Sequence, residues 1–492
     1  MRHFLDMIAD SIRENWEKPA LTDYSLPSEG YGNEYTYGEL YGKIQWLCHA
    51  FKQSGIEKGA HVAICGGNSA NWAVAYLAVA AYRGVVVSIH NTQTVADIVS
   101  QIDFSDAAAL FVERAILDKL NVEQLKGIRL IMTLDDFTLT GNGTDSSDGL
   151  VVSAENVCFD SGPFDELAQI CFTSGSTARP KGVMLSNGNI SNNVWRVMEN
   201  VPYDSNRNFL SMLPPSHMYG LMTEVLWQLA AAKHIYFIGP LVSKSVLIDA
   251  IKAVRPYTMA TIPAILNLLL SACGIIGLKE LLKSCKQINV GGAAFASDSD
   301  RSLLDGDLPL MVGYGVSEAG PLISADLYAN YRPGSCGRAF PGMEIRIVNG
   351  EIVVRGTNVM LGYYKDEEAT RRKIDSDGWL HTGDAGYLDA DGYLYVTGRL
   401  EQDMIVLPSG KKIIPQEIEA LVNGIDGVVE SLVVSRGGRL VALVYANIQL
   451  DINDVLLAVN RQLPLYSHLA DVEFVYEPFQ KTDKQTIKRF LY

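Results

Sequence analysis

Along the first 400 residues, short β-branched runs alternate with stretches whose apolar positions recur at helical spacing. Residues 61–65 (His-Val-Ala-Ile-Cys) read as a buried strand, residues 68–82 as a helix and residues 84–88 as the next strand. The rhythm returns at 128–134, 168–173, 209–213 and 235–238, with helical patterns between. Such alternation predicts an α/β fold of mainly parallel sheets covered by helices. Residues 136–165, rich in Gly, Ser and Asp, break the pattern and read as a surface loop leading into Ala168.

From about Glu344 the pattern changes. Residues 344–348 and 351–355 flank Asn349-Gly350, which predicts a hairpin, and Asp391-Gly392 marks another turn ahead of Tyr393. A small β-barrel-like unit is expected here. After Arg399 the chain reads as strand, helix (415–422), two strands (430–435 and 440–446), helix (451–463) and strand. That is a compact α+β domain of about ninety residues, large enough to fold by itself. The expected division is a large N-terminal domain over 1–398, a linker at 399–402 and a small domain over 403–492.

The chain has 492 residues, 48% of them hydrophobic and 20% charged, which excludes a disordered or fibrous chain. Its formal charge of −15 argues against a general binder of nucleic acid or anionic membrane, so an anionic substrate must be met by local donors. Seven scattered cysteines, none in a CxxC spacing, argue against a zinc site or disulfide framework and for a reduced, cytoplasmic setting. The N-terminus offers no signal-peptide core. The apolar stretch 72–82 stops at Arg83, too short to span a bilayer.

The strongest chemical signal is Thr173-Ser174-Gly175-Ser176-Thr177-Ala-Arg-Pro-Lys181-Gly182. It follows an apolar run and precedes a helical pattern that begins near Ser186. A strand, a loop of hydroxyls and glycines, and then a helix is one way a backbone presents N–H donors to phosphates. Gly175 and Gly182 permit close approach, Pro180 stiffens the return, and Lys181 adds a mobile charge. The common GxxxxGK[ST] phosphate loop is absent.

This segment resembles the phosphate loop of the adenylate-forming (AMP-binding) superfamily, which includes acyl-CoA synthetases. The resemblance extends over nearly the whole chain, in the family's order. It takes in Thr36-Tyr-Gly-Glu-Leu40, Leu213-Pro-Pro-Ser-His217, Gly291-Gly292-Ala293-Ala294, Gly313-Tyr314-Gly315-Val-Ser317-Glu318, Gly378-Trp-Leu-His-Thr-Gly-Asp384 and Gly398-Arg399. The resemblance implies an adenine-stacking role for Tyr314 and a magnesium carboxylate at Glu318, with Thr177 as the second metal-side group. A hard oxygen ligand suits magnesium on a triphosphate. It also implies that Asp384 and Arg399 hold the ribose, that Gly292, Ala293 and Ala294 pass adenine and acyl chain along the backbone, and that His217 closes the acyl pocket near the carboxylate. Ser317 stands where the family usually has Thr.

Family members carry a large domain and a small one that rotates between two half-reactions, which places the hinge at Glu401 or Gln402. Residues 405–419 look like the lining of the pantetheine tunnel, with Ser409, Gly410 and Lys411 at its core. The wording of 406–412 and 487–492 most resembles the long-chain fatty-acyl branch.

One element departs from the family. Aligned on Ile487 and Arg489, the lysine that contacts carboxylate and α-phosphate during adenylation falls on Thr486. Thr cannot supply a cation where carboxylate meets triphosphate. Three accounts compete: Lys484 or Lys488 reaches the site, adenylation is weakened, or Lys181 and magnesium carry the charge alone. The reading adopted is weakened adenylation with retained nucleotide binding.

The resemblance thus implies an ATP- and Mg2+-dependent acyl-CoA synthetase, with CoA as co-substrate and a small-molecule carboxylate, expected to be a fatty acid, as the acid. A fatty acid would bring transient membrane contact. An acyl-nucleotide binder without turnover, an acyl-(carrier protein) ligase and an aryl-CoA ligase are the alternatives.

Overall fold

The structure, a computed structural model, describes all residues except 25–31, 122–124, 126, 140–151, 174–180, 201–207, 240–242, 293–307, 327–331, 400–404, 407–411, 414, 464–466, 482–486 and 488. The described chain forms two compact units: Met1–Ile345 with Val354–Leu380, and Arg346–Val353 with His381–Tyr492.

The first unit holds two large sheets. In the seven-stranded sheet, Leu167–Thr173, Val85–Ile89, His61–Cys65, Ala109–Val112 and Leu130–Thr133 run parallel, and Lys181–Ser186 and Gly362–Tyr363 continue it as antiparallel strands. The nine-stranded sheet is likewise parallel at its centre, from Leu310–Gly315 across to Pro19–Tyr24. Helix Ala70–Ala81, N-capped by Ser69, is apolar on every side and almost wholly buried. It packs on strands of both sheets, so it has no polar face to keep. Thr36-Tyr-Gly-Glu39 is a capping box: Glu39 N–H donates to Thr36 Oγ1 (3.2 Å) and Thr36 N–H to Glu39 Oε2 (2.8 Å). This familial motif therefore starts the helix Tyr37–Gln53.

Three expectations need correction. The helix expected near Ser186 is present as Asn187–Asn200, but the hydroxyl-rich loop does not run directly into it: strand Lys181–Ser186 intervenes. The stretch 136–165 is not simply a surface loop. Val157 and Phe159 are buried, and Tyr41 Oη donates to the Asn156 carbonyl at 3.1 Å. Finally, helix Pro263–Leu281 is long and apolar enough to cross a membrane by length and composition, which the stretch 72–82 was not. It breaks at Gly274 (φ 62°, ψ 172°) and joins Thr258–Thr261 to Gln287–Val290, parallel neighbours in one sheet. A crossover helix does the same.

The hairpin at Asn349-Gly350 forms as expected, with both residues at positive φ (52° and 83°), the requirement of a two-residue type I′ turn. Strands Met343–Val348, Glu351–Gly356, Leu380–Leu388 and Leu394–Arg399 make a four-stranded sheet. The last part of the second unit is a three-stranded sheet, Val428–Arg436, Arg439–Ala446 and Leu469–Val475, with helices Pro415–Asn423 and Ile452–Asn460. Ile418, Val422, Ala442, Val444, Val455 and Val459 share its core.

Candidate active site

In the first unit, candidate groups gather where strand Lys181–Ser186 begins and strand Leu310–Gly315 ends. Thr173 and Lys181 are register partners on the two strands that flank the hydroxyl-rich loop. Ser174, Gly175, Ser176 and Thr177 themselves lie outside the described residues. Strand Gly362–Tyr363 adds to the other edge of Lys181–Ser186, with Tyr363 opposite Val183. The buried Tyr363 ring lies under the Lys181 ammonium, 5.1 Å from Nζ to ring centre, and its hydroxyl donates to Glu318 Oε1 at 2.8 Å. An ammonium over an aromatic face is held by the ring quadrupole. Tyr363 thus fixes both the cation and the carboxylate singled out in the sequence.

Glu318 sits, half-buried, in the turn Ser317–Ala319 that follows Leu310–Gly315. Its carbonyl accepts the Met360 N–H at 2.8 Å. Behind it lies a buried amide network on helix Asn187–Asn200. Asn189 donates to the carbonyls of Thr357 and Val359 (2.8 and 2.9 Å), Asn192 to Asn358 Oδ1 (2.7 Å), and Asn193 Oδ1 accepts from Leu322 N–H (3.2 Å). Satisfied buried amides of this kind rigidify the loops they join. Tyr314 is half-buried opposite Ser324, and Gly315 is required by packing: a Cβ there would stand 2.0 Å from the Pro321 carbonyl oxygen.

Among the described residues no cluster of three or more His, Cys, Asp or Glu could cage a metal. A single carboxylate at a strand end still fits magnesium, which takes one or two carboxylates and fills the rest of its shell with phosphate oxygens and water. Glu318 is the residue that would hold it.

His217 follows Leu213-Pro-Pro-Ser and pairs with His90, a residue the sequence reading passed over. His90 Nε2 and His217 Nδ1 are 2.8 Å apart, and Ser216 Oγ lies 3.0 Å from His90 Nδ1. Gly291 makes room for a ring: a Cβ there would meet Tyr219 at 3.0 Å. Gly292 adopts φ 78°, a left-handed conformation that favours glycine. Ala293 and Ala294 lie outside the described residues. A small apolar cavity of about 20 Å³ opens here, lined by Val197, Tyr219, Trp227, Asn289, Met311 and Phe340 among others.

Glu224, two turns beyond His217, is fully buried in the π-helical segment Leu221–Leu226. Its Oε2 accepts from Ser211 Oγ (2.8 Å), Met212 N–H (3.0 Å) and Leu213 N–H (2.7 Å), while Oε1 has no hydrogen-bond partner. Burial pushes its carboxyl up to about 8, the three hydrogen bonds opposing this only in part. It clamps the strand end that leads into Pro214–His217.

In the second unit, Asp384 and Arg399 are cross-strand partners. Asp384 is buried and its N–H donates to Thr382 Oγ1 at 3.0 Å, while Glu351 takes His381 Nδ1 (2.8 Å) and Gly383 N–H (2.9 Å). Glu401, Gln402, Ser409, Gly410, Lys411, Lys484, Thr486 and Lys488 lie outside the described residues. The flanks of Thr486 are placed: Lys481 bridges Ile487 and pairs with Glu430 (2.6 Å), and Arg489 pairs with the buried Glu419.

Sequence reasoning missed Tyr363, His90, Glu224 and the asparagines. Only the run Asn187-Gly-Asn-Ile-Ser-Asn-Asn193, unusually polar for a helix over a sheet, gave any signal.

Known proteins agree with this architecture. The 4-coumarate–CoA ligase 4 of Arabidopsis thaliana is 27% identical over 482 residues, covering 90% of this chain and 83% of that protein. A 3-[(3aS,4S,7aS)-7a-methyl-1,5-dioxo-octahydro-1H-inden-4-yl]propanoyl:CoA ligase of Mycobacterium tuberculosis is 30% identical, covering 81% and 80%. Among solved structures, ATP-bound MatB from Rhodopseudomonas palustris superposes with a TM-score of 0.85 at 23% identity, over 99% of this chain and 98% of that one. The profile of the AMP-binding enzyme family matches residues 8–364, and the chain belongs to that family.

Proposed function

We propose that the protein joins an apolar carboxylic acid to CoA through an acyl-AMP, within the AMP-forming acid–thiol ligase class that its family and relatives support. The carboxylate attacks the α-phosphate of ATP and pyrophosphate leaves. The CoA thiolate then attacks the mixed anhydride, and AMP leaves. No enzyme nucleophile is needed, so catalysis is positioning and electrostatics.

The observation that carries this reading is the strand Leu310–Gly315, which serves both halves of the site. Met311 and Gly313 line the apolar cavity, and the same strand delivers Glu318, tied through Tyr363 to Lys181 beside the phosphate-loop hairpin. Magnesium, when bound, offsets phosphate charge and orients the triphosphate. Glu318 would hold it, Lys181 would meet phosphate oxygens, Tyr314 would stack on adenine, and Asp384 with Arg399 would take the ribose. His217 would stand at the acyl junction. The division at 399–402, and the alternation between half-reactions that it implies, belong to this proposal.

The apolar cavity walls, and relatives named as 4-coumarate–CoA ligases, support a compact apolar acid, aryl or medium acyl, rather than the long-chain acid expected from residues 406–412 and 487–492. Trp227 and Phe340 present flat rings to the cavity, the kind of wall that suits an aromatic or compact apolar group. A long-chain acid is the second reading, and a chain-length panel separates the two.

The test is acid-dependent pyrophosphate release from Mg-ATP across aryl, medium and long-chain acids, with Thr486→Lys beside the natural chain. We expect turnover on compact apolar acids, on the order of tenfold faster or more in the lysine variant, the size of one well-placed charge. Equal rates would move the missing cation to Lys484 or Lys488. Silence from both proteins with ATP still bound would leave an acyl-nucleotide binder.

A further inference from the structure

We infer that Glu351 is a positioning residue for the nucleotide: its carboxylate holds the turn that carries Asp384 and so fixes the direction in which Asp384 meets the ribose hydroxyls. This rests on the reading of Asp384 as a ribose ligand. Glu351 opens the second strand of the hairpin, directly after Gly350. Both of its oxygens are engaged on one short segment. Oε1 accepts the Gly383 N–H at 2.9 Å, and Oε2 lies 2.8 Å from His381 Nδ1. A carboxylate only accepts, so the imidazole carries hydrogen on Nδ1 and donates it.

The segment is bent at this point. Gly383 has φ 79°, a left-handed conformation inside strand Leu380–Leu388, and the ladder toward Leu394–Arg399 shifts register between Ala385 and Gly386. A left-handed residue turns its N–H out of the regular ladder, where it needs another acceptor. Glu351 is that acceptor. The Asp384 N–H donates to Thr382 Oγ1 (3.0 Å), and the Thr382 hydroxyl donates to the Ile352 carbonyl (2.7 Å). Gly386 N–H donates to the Gly350 carbonyl at 3.1 Å. Residues 350–352 thus hold the chain on both sides of Asp384. Of these contacts, those of Glu351 come from a hairpin side chain and the others from hairpin carbonyls. Substitution of Glu351 therefore tests the hold and leaves the hairpin backbone as it is.

Direction matters because of what Asp384 would bind. Asp384 is buried and is the cross-strand partner of Arg399. Two vicinal hydroxyls are donors at a fixed separation, and a carboxylate takes both only when its two oxygens face them. A displacement of about 0.5 Å is enough to spoil such a geometry.

The experiment titrates the full chain, in the presence of magnesium, with ATP and with 2′,3′-dideoxy-ATP, which lacks both hydroxyls. The proteins are the natural one, Glu351→Ala, Glu351→Asp, Glu351→Gln, Asp384→Ala and the Glu351→Ala, Asp384→Ala pair. The natural protein should prefer ATP by about tenfold or more, the worth of a hydrogen bond to a charged group. In Glu351→Ala the Kd for ATP rises about tenfold and that for the dideoxy nucleotide stays within about twofold, so the preference disappears. Glu351→Asp draws the same carboxylate back by one methylene and gives the same selective loss, even where alanine does not fold. Glu351→Gln keeps an acceptor for the Gly383 N–H and holds the preference within about threefold of natural. On the Asp384→Ala background, Glu351→Ala adds less than about twofold, because the carboxylate that it positions is gone. Equal weakening of both nucleotides in the alanine and aspartate variants overturns the proposal and leaves Glu351 a packing role. So does a preference for ATP that survives in both, or an additive loss in the double variant. A natural protein that binds the two nucleotides equally overturns the ribose reading itself, whatever the Glu351 variants do.

Discussion

Glu224 and Glu318 both belong to the first unit and have opposite surroundings. Glu318 ends a strand, half-buried, and receives the hydroxyl of Tyr363 beside the Lys181 ammonium. Glu224 is fully buried, with three donors on one oxygen, none on the other, and a carboxyl pushed up to about 8. A carboxylate left half-exposed at a strand end is open to a metal. A desolvated one with no cation keeps its proton and serves as a neutral clamp. The lesson is that one residue type gives a ligand or a fastener according to its solvation, and that nearness to the ligand does not decide it.

The harshest test of this contrast is Glu318→Gln. It keeps shape and removes charge, and adenylation should fall on the order of 100-fold or more with thermal stability nearly unchanged. Pyrophosphate exchange and a melting curve measure the two sides. A loss under threefold would mean that the carboxylate is not the metal ligand.

Glu224→Gln should do the reverse. The natural carboxyl takes up a proton on folding, because its folded pKa lies above the ordinary carboxylate range. Its contribution is fully present at low pH and is lost as pH rises toward and through about 8. The amide imitates the protonated acid at every pH, so the variant should gain relative stability between pH 5 and pH 8.5, on the order of 2–4 kcal/mol. Urea midpoints at the two pH values read it. A gap that does not change with pH would show that Glu224 is not neutral in the fold.

Smaller effects sharpen the picture. Tyr363→Phe keeps the ring beneath Lys181 and removes the donor to Glu318, so KM for Mg-ATP should rise about threefold to tenfold, the range of one hydrogen bond to a charged group. An unchanged KM would assign the hydroxyl to packing. Trp227→Ala opens one cavity wall and should move the acid preference toward longer or bulkier acids by about tenfold in kcat/KM, the scale of a few methylene contacts. A uniform loss across all acids would instead indicate a collapsed core.

How much of this was legible depended on how local each signal was. Strand His61–Cys65, the Asn349-Gly350 turn and helix Pro415–Asn423 were readable because turn chemistry, capping and apolar period act within a few residues. Lys181–Ser186 was not read as a strand: six residues beside a helix start leave too short an alternation to show itself. Tyr363 stands 45 residues from the glutamate it holds, and His90 stands 127 from its partner. No spacing rule reaches across such separations. Glu224 looked like one polar residue in an apolar helix, and nothing in its neighbours announced that three donors converge on it.

By itself the sequence determined the alternating α/β architecture, the family and most of the candidate residues at the strand ends, because periodicity, turn residues and ordered motifs are properties of the chain. Only the tertiary structure decided which carboxylate is solvated and which is not, which ring lies under Lys181, and which histidine backs His217. Those are outcomes of packing between distant segments, where burial sets protonation and register sets the neighbours.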